Sequence, residues 1–132
     1  MIPAMTTDLK MLAWSAILCV LLFAPYVMAR FMVWGIADTV GYPKNPPALP
    51  DWAERARRAH MNMVENLVPF AALVLAAHFA GKTGPAVDTG AIIFFWSRVV
   101  HAGVFIAGIP WLRTLAFLGG VAGMLIIFVQ LL

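Results

Sequence analysis

Residues 114–132 read TLAFLGGVAGMLIIFVQLL, a stretch of 19 residues without a charge. A helix of that length spans about 28 Å, close to the roughly 30 Å hydrocarbon core of a bilayer. A second uncharged stretch of 19 residues lies between Lys10 and Arg30. Each of these two stretches predicts a transmembrane helix.

The composition extends this prediction to the whole chain. Of 132 residues, 63% are hydrophobic and only 11% are charged, which exceeds the apolar share of ordinary soluble domains. We therefore expect an all-α integral membrane protein with a single domain over residues 1–132. The net charge of +3 is explained by membrane topology and by attraction to anionic lipid, and nothing in the sequence indicates nucleic-acid binding.

The sequence predicts four helices, near residues 9–31, 52–80, 87–107 and 112–131. The first connection, residues 41–50, contains four prolines, which cannot continue a helix. The other two connections are short and contain Gly84-Pro85 and Pro110, which are typical of turns and helix starts. Because short connections place successive helices side by side, we expect a four-helix antiparallel bundle.

The distribution of basic residues predicts the orientation. Most of them flank the first and third predicted connections: Arg30, Lys44, Arg55, Arg57, Arg58 and Arg113. Since basic residues favour the cytoplasmic side, we expect these connections in the cytoplasm, in a bacterial inner membrane. Val27-Met28-Ala29 after an apolar run also fits a signal-peptide cleavage site, which is an alternative interpretation of the first helix.

Residues 55–66 read RARRAHMNMVEN and carry a dense polar cluster into the second predicted helix. A charge near the centre of a membrane helix costs roughly 2.5–3.5 kcal/mol, so this cluster needs partners, water or a ligand. At 100° per residue, five side chains share one stripe of about 100° while Arg57 and His60 point elsewhere. The five are Arg55, Arg58, Asn62, Glu65 and Asn66.

The third predicted helix supplies a possible complement. Arg98 and His101 lie one turn apart on the same face, at a depth similar to that of Glu65. Glu65 could therefore simply neutralise Arg98 or Arg58 and hold the bundle together. His78 is expected to be isolated and interfacial, and the three histidines have no spacing that indicates a metal site.

Three motifs together resemble the MAPEG family, the membrane-associated proteins of eicosanoid and glutathione metabolism. They are Arg55-x-x-Arg58-Ala-His60-x-Asn62-x-x-Glu65-Asn66, Arg98-x-x-His101 and Pro110-x-x-Arg113-Thr114. The resemblance implies a homotrimer of four-helix subunits in the lipid bilayer. It also implies that glutathione binds between neighbouring subunits near the cytoplasmic face.

The resemblance further implies roles for individual residues. Those expected to bind glutathione are Arg55, Arg58, Asn62, Glu65, Arg98 and His101, and those expected near its thiol are Arg113 and Thr114. The chemistry agrees, because arginines suit the two carboxylates of glutathione and a carboxylate suits its ammonium group. A nearby arginine favours the reactive thiolate. The implied activity is a glutathione-dependent transferase or peroxidase acting on lipophilic electrophiles or lipid hydroperoxides.

Two positions depart from the family pattern. Phe105 stands where several active relatives have tyrosine, and Met61 replaces a basic residue of some members. A non-catalytic scaffold, or a subunit that binds lipid or another membrane protein, is therefore an alternative function. A proton or ion pathway through Glu65, Arg98 and His101 is a third, because ionisable residues inside membranes often mark such routes.

Overall fold

The computed structural model describes residues 4–132, and its regular structure there is helical throughout. The helices are α1 (Thr7–Leu21), α2 (Ala24–Val40), α3 (Asp51–Phe79), α4 (Pro85–Ala107) and α5 (Pro110–Leu131). Helices α1 and α2 form one apolar segment, so there are four candidate spans, each long and apolar enough to cross a bilayer. The chain folds as the predicted all-helical bundle with four such segments.

The first predicted helix is divided in two. We expected one helix over 9–31, whereas α1 ends at Leu21 and α2 continues to Val40, with a turn at Leu22 and Phe23. Pro25 explains the break, because it has no N–H to donate and its ring collides with the carbonyl four residues earlier. Helical bonding resumes when the Val27 N–H reaches the Phe23 carbonyl at 3.1 Å.

The second half of α2 is hydrogen-bonded to the proline-rich connection, residues 41–50. Gly35 interrupts the helix with φ 80° and ψ 171°, a conformation that only glycine adopts without strain. Immediately before it, the Trp34 indole N–H donates to the Pro47 carbonyl at 2.8 Å. The connection is therefore anchored to α2, which itself packs mainly against α3.

The remaining helices begin and end within two residues of the predicted positions. Pro85 and Pro110 stand in the first turns of α4 and α5, where a missing N–H costs nothing. Gly108 ends α4 in the left-handed conformation, with φ 81°. These residue types are strong local signals, which is why the sequence located the helix ends well.

The two ends of the bundle differ in chemistry. Arg55 at the start of α3 touches Gly108 at the end of α4, and we call this the basic end, since the arginines of α3 and Arg113 lie there. At the opposite end, the start of α1 meets the end of α3 and the start of α4. These contacts show that the spans alternate in direction, as predicted.

Helices α4 and α5 pack most closely. A methyl group at Gly123 would lie 2.5 Å from the Gly90 carbonyl oxygen and 2.8 Å from the Phe94 nitrogen. Glycines at this crossing let the two backbones approach, as in other membrane helix pairs. Beside it, the stacked rings of Phe70 and Phe94, 3.8 Å between centroids, join α3 to α4 in the core.

His78 is not isolated, so that prediction was wrong. Its Nε2 lies 2.7 Å from a carboxylate oxygen of Asp8, which is completely buried. The Asp8 backbone N–H in turn donates to the Asp88 carboxylate at 3.1 Å. Three helices thus meet through polar groups at the opposite end, a contact between residues 70 positions apart that local spacing does not reveal.

Candidate functional site

Arg98 lies in the middle of α4 and is 2% exposed. One of its terminal nitrogens donates to the Asn62 side-chain oxygen of α3 at 2.6 Å. Its other two nitrogens are buried and have no hydrogen-bond partner within the described chain. Since a buried charge is costly unless it is paired, the incompletely hydrogen-bonded Arg98 marks this part of the bundle as a candidate binding site.

The expected neutralisation by Glu65 does not occur within the subunit. Among residues 4–132, carboxylate oxygens lie within 4 Å of the basic nitrogens of Arg57 and His78 alone, so none lies that close to Arg98 or Arg58. Arg98 therefore has the Asn62 amide as its partner, and not the Glu65 carboxylate that could have neutralised it. An ion relay through Glu65, Arg98 and His101 is likewise not assembled, because Glu65 is on the exposed face of α3.

Asn62 is held in place by its own helix. The Asn66 side-chain amide donates to the Asn62 carbonyl at 2.8 Å and to its side-chain oxygen at 3.3 Å. That oxygen therefore accepts from both Asn66 and Arg98, which fixes which atom of the Asn62 amide is the acceptor. The Asn62 NH₂ group remains a donor for the cleft that the residue lines.

His101 completes the buried part of the site. It follows Arg98 by one turn, is 2% exposed, and its Nδ1 has no partner within residues 4–132. The rings of Phe105 and Phe117 lie 5.4 and 6.4 Å from its centroid. A cleft of about 230 Å³ between α3, α4 and α5 is lined by Asn62, His101, Phe105, Arg113, Thr114 and Phe117.

Arg113 stands at the mouth of this cleft. Its guanidinium carbon lies 4.9 Å from the centre of the Phe105 ring, and its side chain is exposed. The Thr114 hydroxyl donates to the Pro110 carbonyl at 3.3 Å, within the first turn of α5. A second cavity of about 140 Å³ shares Arg113 and Phe105 with the cleft and continues toward Arg55 and Gly108.

Arg55 caps the end of α4. Its Nε donates to the Ile106 carbonyl at 2.9 Å, and a methyl at Gly108 would lie 3.2 Å from its guanidinium carbon. A cation suits the carbonyl-rich end of a helix. The remaining N–H groups of Arg55 line the cavity beside Arg113 and a third one, of about 260 Å³, that also contains Arg58.

The expected site residues therefore divide into two groups. A single subunit brings together Asn62, Arg98, His101, Arg113 and Thr114, with Arg55 beside them. Arg58 and Glu65 instead lie on the exposed face of α3, together with Met61. The predicted stripe was too broad to distinguish the part of α3 that faces the cleft from the part that faces outward.

Comparison with known proteins identifies the family of the chain. The MAPEG family matches residues 11–132, nearly the whole chain. The chain belongs to the MAPEG family. No curated protein and no solved structure matches it. Family membership and four apolar spans identify an integral membrane protein, and the MAPEG resemblance drawn from its motifs is confirmed.

One polar group of this MAPEG chain was missed by sequence analysis. The Tyr26 hydroxyl lies 2.7 Å from the His60 Nδ1, and the Arg30 guanidinium lies 5.2 and 5.4 Å from the rings of Tyr26 and Trp34. The spacing of four between residues 26, 30 and 34 was a signal for this stacked face of α2. The contact with Tyr26 also explains why His60 points away from the polar stripe of α3, because the His60 side chain faces α2.

The MAPEG cleft has a definite chemical character. Its polar lining consists of one cation, an amide, an imidazole and a hydroxyl, and none of the described residues that line it is acidic. Such a set binds anionic and hydrogen-bond-accepting groups. Arg113 is the cation among the residues that line the cleft.

Proposed function

We propose that the protein is a glutathione-dependent transferase or peroxidase embedded in the membrane, acting on lipophilic electrophiles or lipid hydroperoxides. The observation that carries the proposal is the cleft lined by Asn62, His101, Arg113 and Thr114, with the incompletely hydrogen-bonded Arg98 bound to Asn62 beside it. Glutathione offers two carboxylates and two peptide groups that can accept from them. MAPEG membership supports glutathione as the co-substrate.

Each cleft residue then has a role. Arg98, Asn62, His101 and Arg55 bind the carboxylate and peptide oxygens of glutathione. Arg113 lies near the sulfur and favours the thiolate, with Thr114 as an additional hydrogen-bond donor. In transfer, the thiolate attacks the electrophilic carbon of a substrate dissolved in the bilayer, and the leaving group departs with the electron pair of the broken bond. In peroxide reduction, the thiolate attacks the terminal oxygen of the hydroperoxide, the O–O bond breaks, and the alkoxide takes a proton and leaves as the alcohol. The glutathione sulfenic acid formed then reacts with a second glutathione to give the disulfide and water.

We further propose that the protein works as a homotrimer. Arg58 and Glu65 lie on an exposed face of a membrane helix, where an unpartnered charge costs about 2.5–3.5 kcal/mol. If that face packs against a neighbouring copy, both side chains can reach glutathione held at the subunit boundary, Arg58 at a carboxylate and Glu65 at the ammonium. The basic end then faces the cytoplasm, in a bacterial inner membrane.

Calorimetry of glutathione binding to the purified protein in detergent tests the proposal. Arg58→Gln should weaken binding about tenfold or more, the effect of losing a hydrogen bond to a charged group. Arg57→Gln is the matched control, because Arg57 is one residue away, exposed and paired with Glu54 at 3.3 Å. Absence of binding at millimolar glutathione, or equal losses in both variants, would contradict the proposal.

The alternative is a non-catalytic subunit that keeps the fold and binds lipid or another membrane protein. The observation in its favour is Phe105, which lines the cleft without contributing a hydroxyl. Assays of conjugation and hydroperoxide reduction by the glutathione-bound protein distinguish the two. Saturable binding without any turnover would favour the subunit over the enzyme.

A further inference from the structure

The contact between Arg113 and Phe105 links α5 to α4 at the mouth of the cleft. The guanidinium carbon lies 4.9 Å from the ring centre, within the distance at which a cation is attracted to an aromatic face. No carboxylate of residues 4–132 lies within 4 Å of Arg113. The Phe105 ring is therefore the group that can fix this exposed, flexible side chain inside the subunit.

The Phe105 ring packs against the buried His101 ring. Phe105 follows His101 by one turn of α4, and the two rings pack edge to face at 5.4 Å. His101 is buried and lies against Phe117 of α5 on another side. Packing against the core thus fixes the Phe105 ring, and the contact of this ring with the guanidinium restrains the Arg113 side chain.

Phe105 also lines both the cleft and the adjoining cavity, as does Arg113. Without the ring, the long Arg113 side chain would gain rotamer freedom and would spend time in the headgroup region. Since electrostatic stabilisation of a reacting atom depends on a cation that is already in place, this freedom would weaken its effect.

We propose that Phe105 is a positioning residue, whose ring holds the Arg113 guanidinium at the place where the glutathione thiol ionises. The proposal rests on the proposed function, because the position of Arg113 matters only when a thiol is bound. Phe105 would then contribute to the reaction although its side chain has no hydrogen-bonding group.

The test compares Phe105→Leu, which removes the ring, with Phe105→Tyr, which keeps it. The thiolate of bound glutathione is followed by its ultraviolet absorbance against pH, together with kcat and KM. In Phe105→Leu we expect the thiolate midpoint to rise by about one unit and kcat to fall about tenfold. The KM for glutathione should change less than twofold, and in Phe105→Tyr, where the ring is kept, the thiolate midpoint should stay below that of Phe105→Leu.

Phe105→Met, which fills a similar volume without a ring, serves as a second variant if Phe105→Leu does not fold, and it should behave in the same way. A native thiolate midpoint in either ringless variant would overturn the positioning role. Loss of glutathione binding in a folded ringless variant would overturn it too, because the ring would then support binding itself. Failure of the native protein to bind glutathione would instead refute the proposed function, so the two failures are distinguishable.

Discussion

At the scale of single residues, the unusual feature is a buried arginine facing an amide. Arg98 has Asn62 as its hydrogen-bonding partner, at 2.6 Å, and two further nitrogens without one among residues 4–132. A buried arginine that serves the fold alone is usually paired with a carboxylate, because a buried charge without a partner is strongly destabilising. Under the proposed function, Arg98 binds an acceptor of the ligand, so its effects on stability and on binding can be separated by mutation.

Arg98→Met should separate them. Replacing a buried charge with an apolar side chain of similar length is often neutral or stabilising, so we expect the thermal unfolding temperature in detergent to stay the same or rise. Glutathione binding should be lost in calorimetry. Asn62→Ala is the counterpart, because it strips Arg98 of its partner and should cost about 1.5–3 kcal/mol. If Arg98→Met unfolds, the charge serves the fold and the binding role fails.

At the scale of helices, the crossing of α4 and α5 sets the distance between the elements that carry Arg98 and Arg113. Gly123→Ala should destabilise the protein by about 1–3 kcal/mol, because the added methyl would collide with the backbone of Gly90 and Phe94. Gly103→Ala is the matched control, since a methyl at that position on α4 has no neighbour within 4 Å. It should be neutral or stabilise the helix by up to about 1 kcal/mol.

Thermal unfolding of both alanine variants, measured in the same detergent, checks this prediction. If Gly123→Ala unfolds at the native temperature, the close approach of the two helices is not needed for stability. If Gly103→Ala is the more damaging substitution, the face of α4 that it occupies is covered by another copy of the chain.

At the scale of the whole molecule, the two ends have separate tasks. The basic end carries the cleft, while Asp8, His78 and Asp88 join three helices at the other end. His78→Ala removes the partner of the buried Asp8 carboxylate and should lower the free energy of unfolding by about 1–3 kcal/mol, the cost of leaving a buried acceptor unsatisfied. It should leave glutathione affinity unchanged, since the cleft is formed by other residues.

A double-mutant cycle with Asp8→Asn measures that contact. The two substitutions should be coupled by about 1–3 kcal/mol in the free energy of unfolding, whereas Lys82→Ala at the same end should have little effect. Additive effects of the Asp8 and His78 substitutions would show that the two side chains do not interact in the folded protein.

The sequence was most informative where local chemistry decides the structure. Uncharged length predicted the spans, and Pro85, Gly108 and Pro110 marked helix ends within two residues. The sequence was less informative about contacts between helices that are far apart in the chain. The meeting of His78 with Asp8 depends on how distant helices align. The break before Pro25 did have a local signal, the proline itself, but the continuous hydrophobicity on both sides favoured a single helix. For the site, the motifs contain the four polar residues that line the cleft, but Phe117 belongs to none of them, and only packing separates the cleft residues from Arg58 and Glu65.

The pairing of Arg98 with an amide and of Arg113 with a ring has a consequence for how quickly a ligand arrives. Neither contact cancels charge, so the cleft retains the positive potential of both arginines, which attracts anions from solution. Mobile ions shorten the reach of that attraction to about 8 Å at physiological ionic strength. Stopped-flow association of glutathione should therefore slow as sodium chloride is added, and Arg113→Gln should flatten this salt dependence more than Arg57→Gln does.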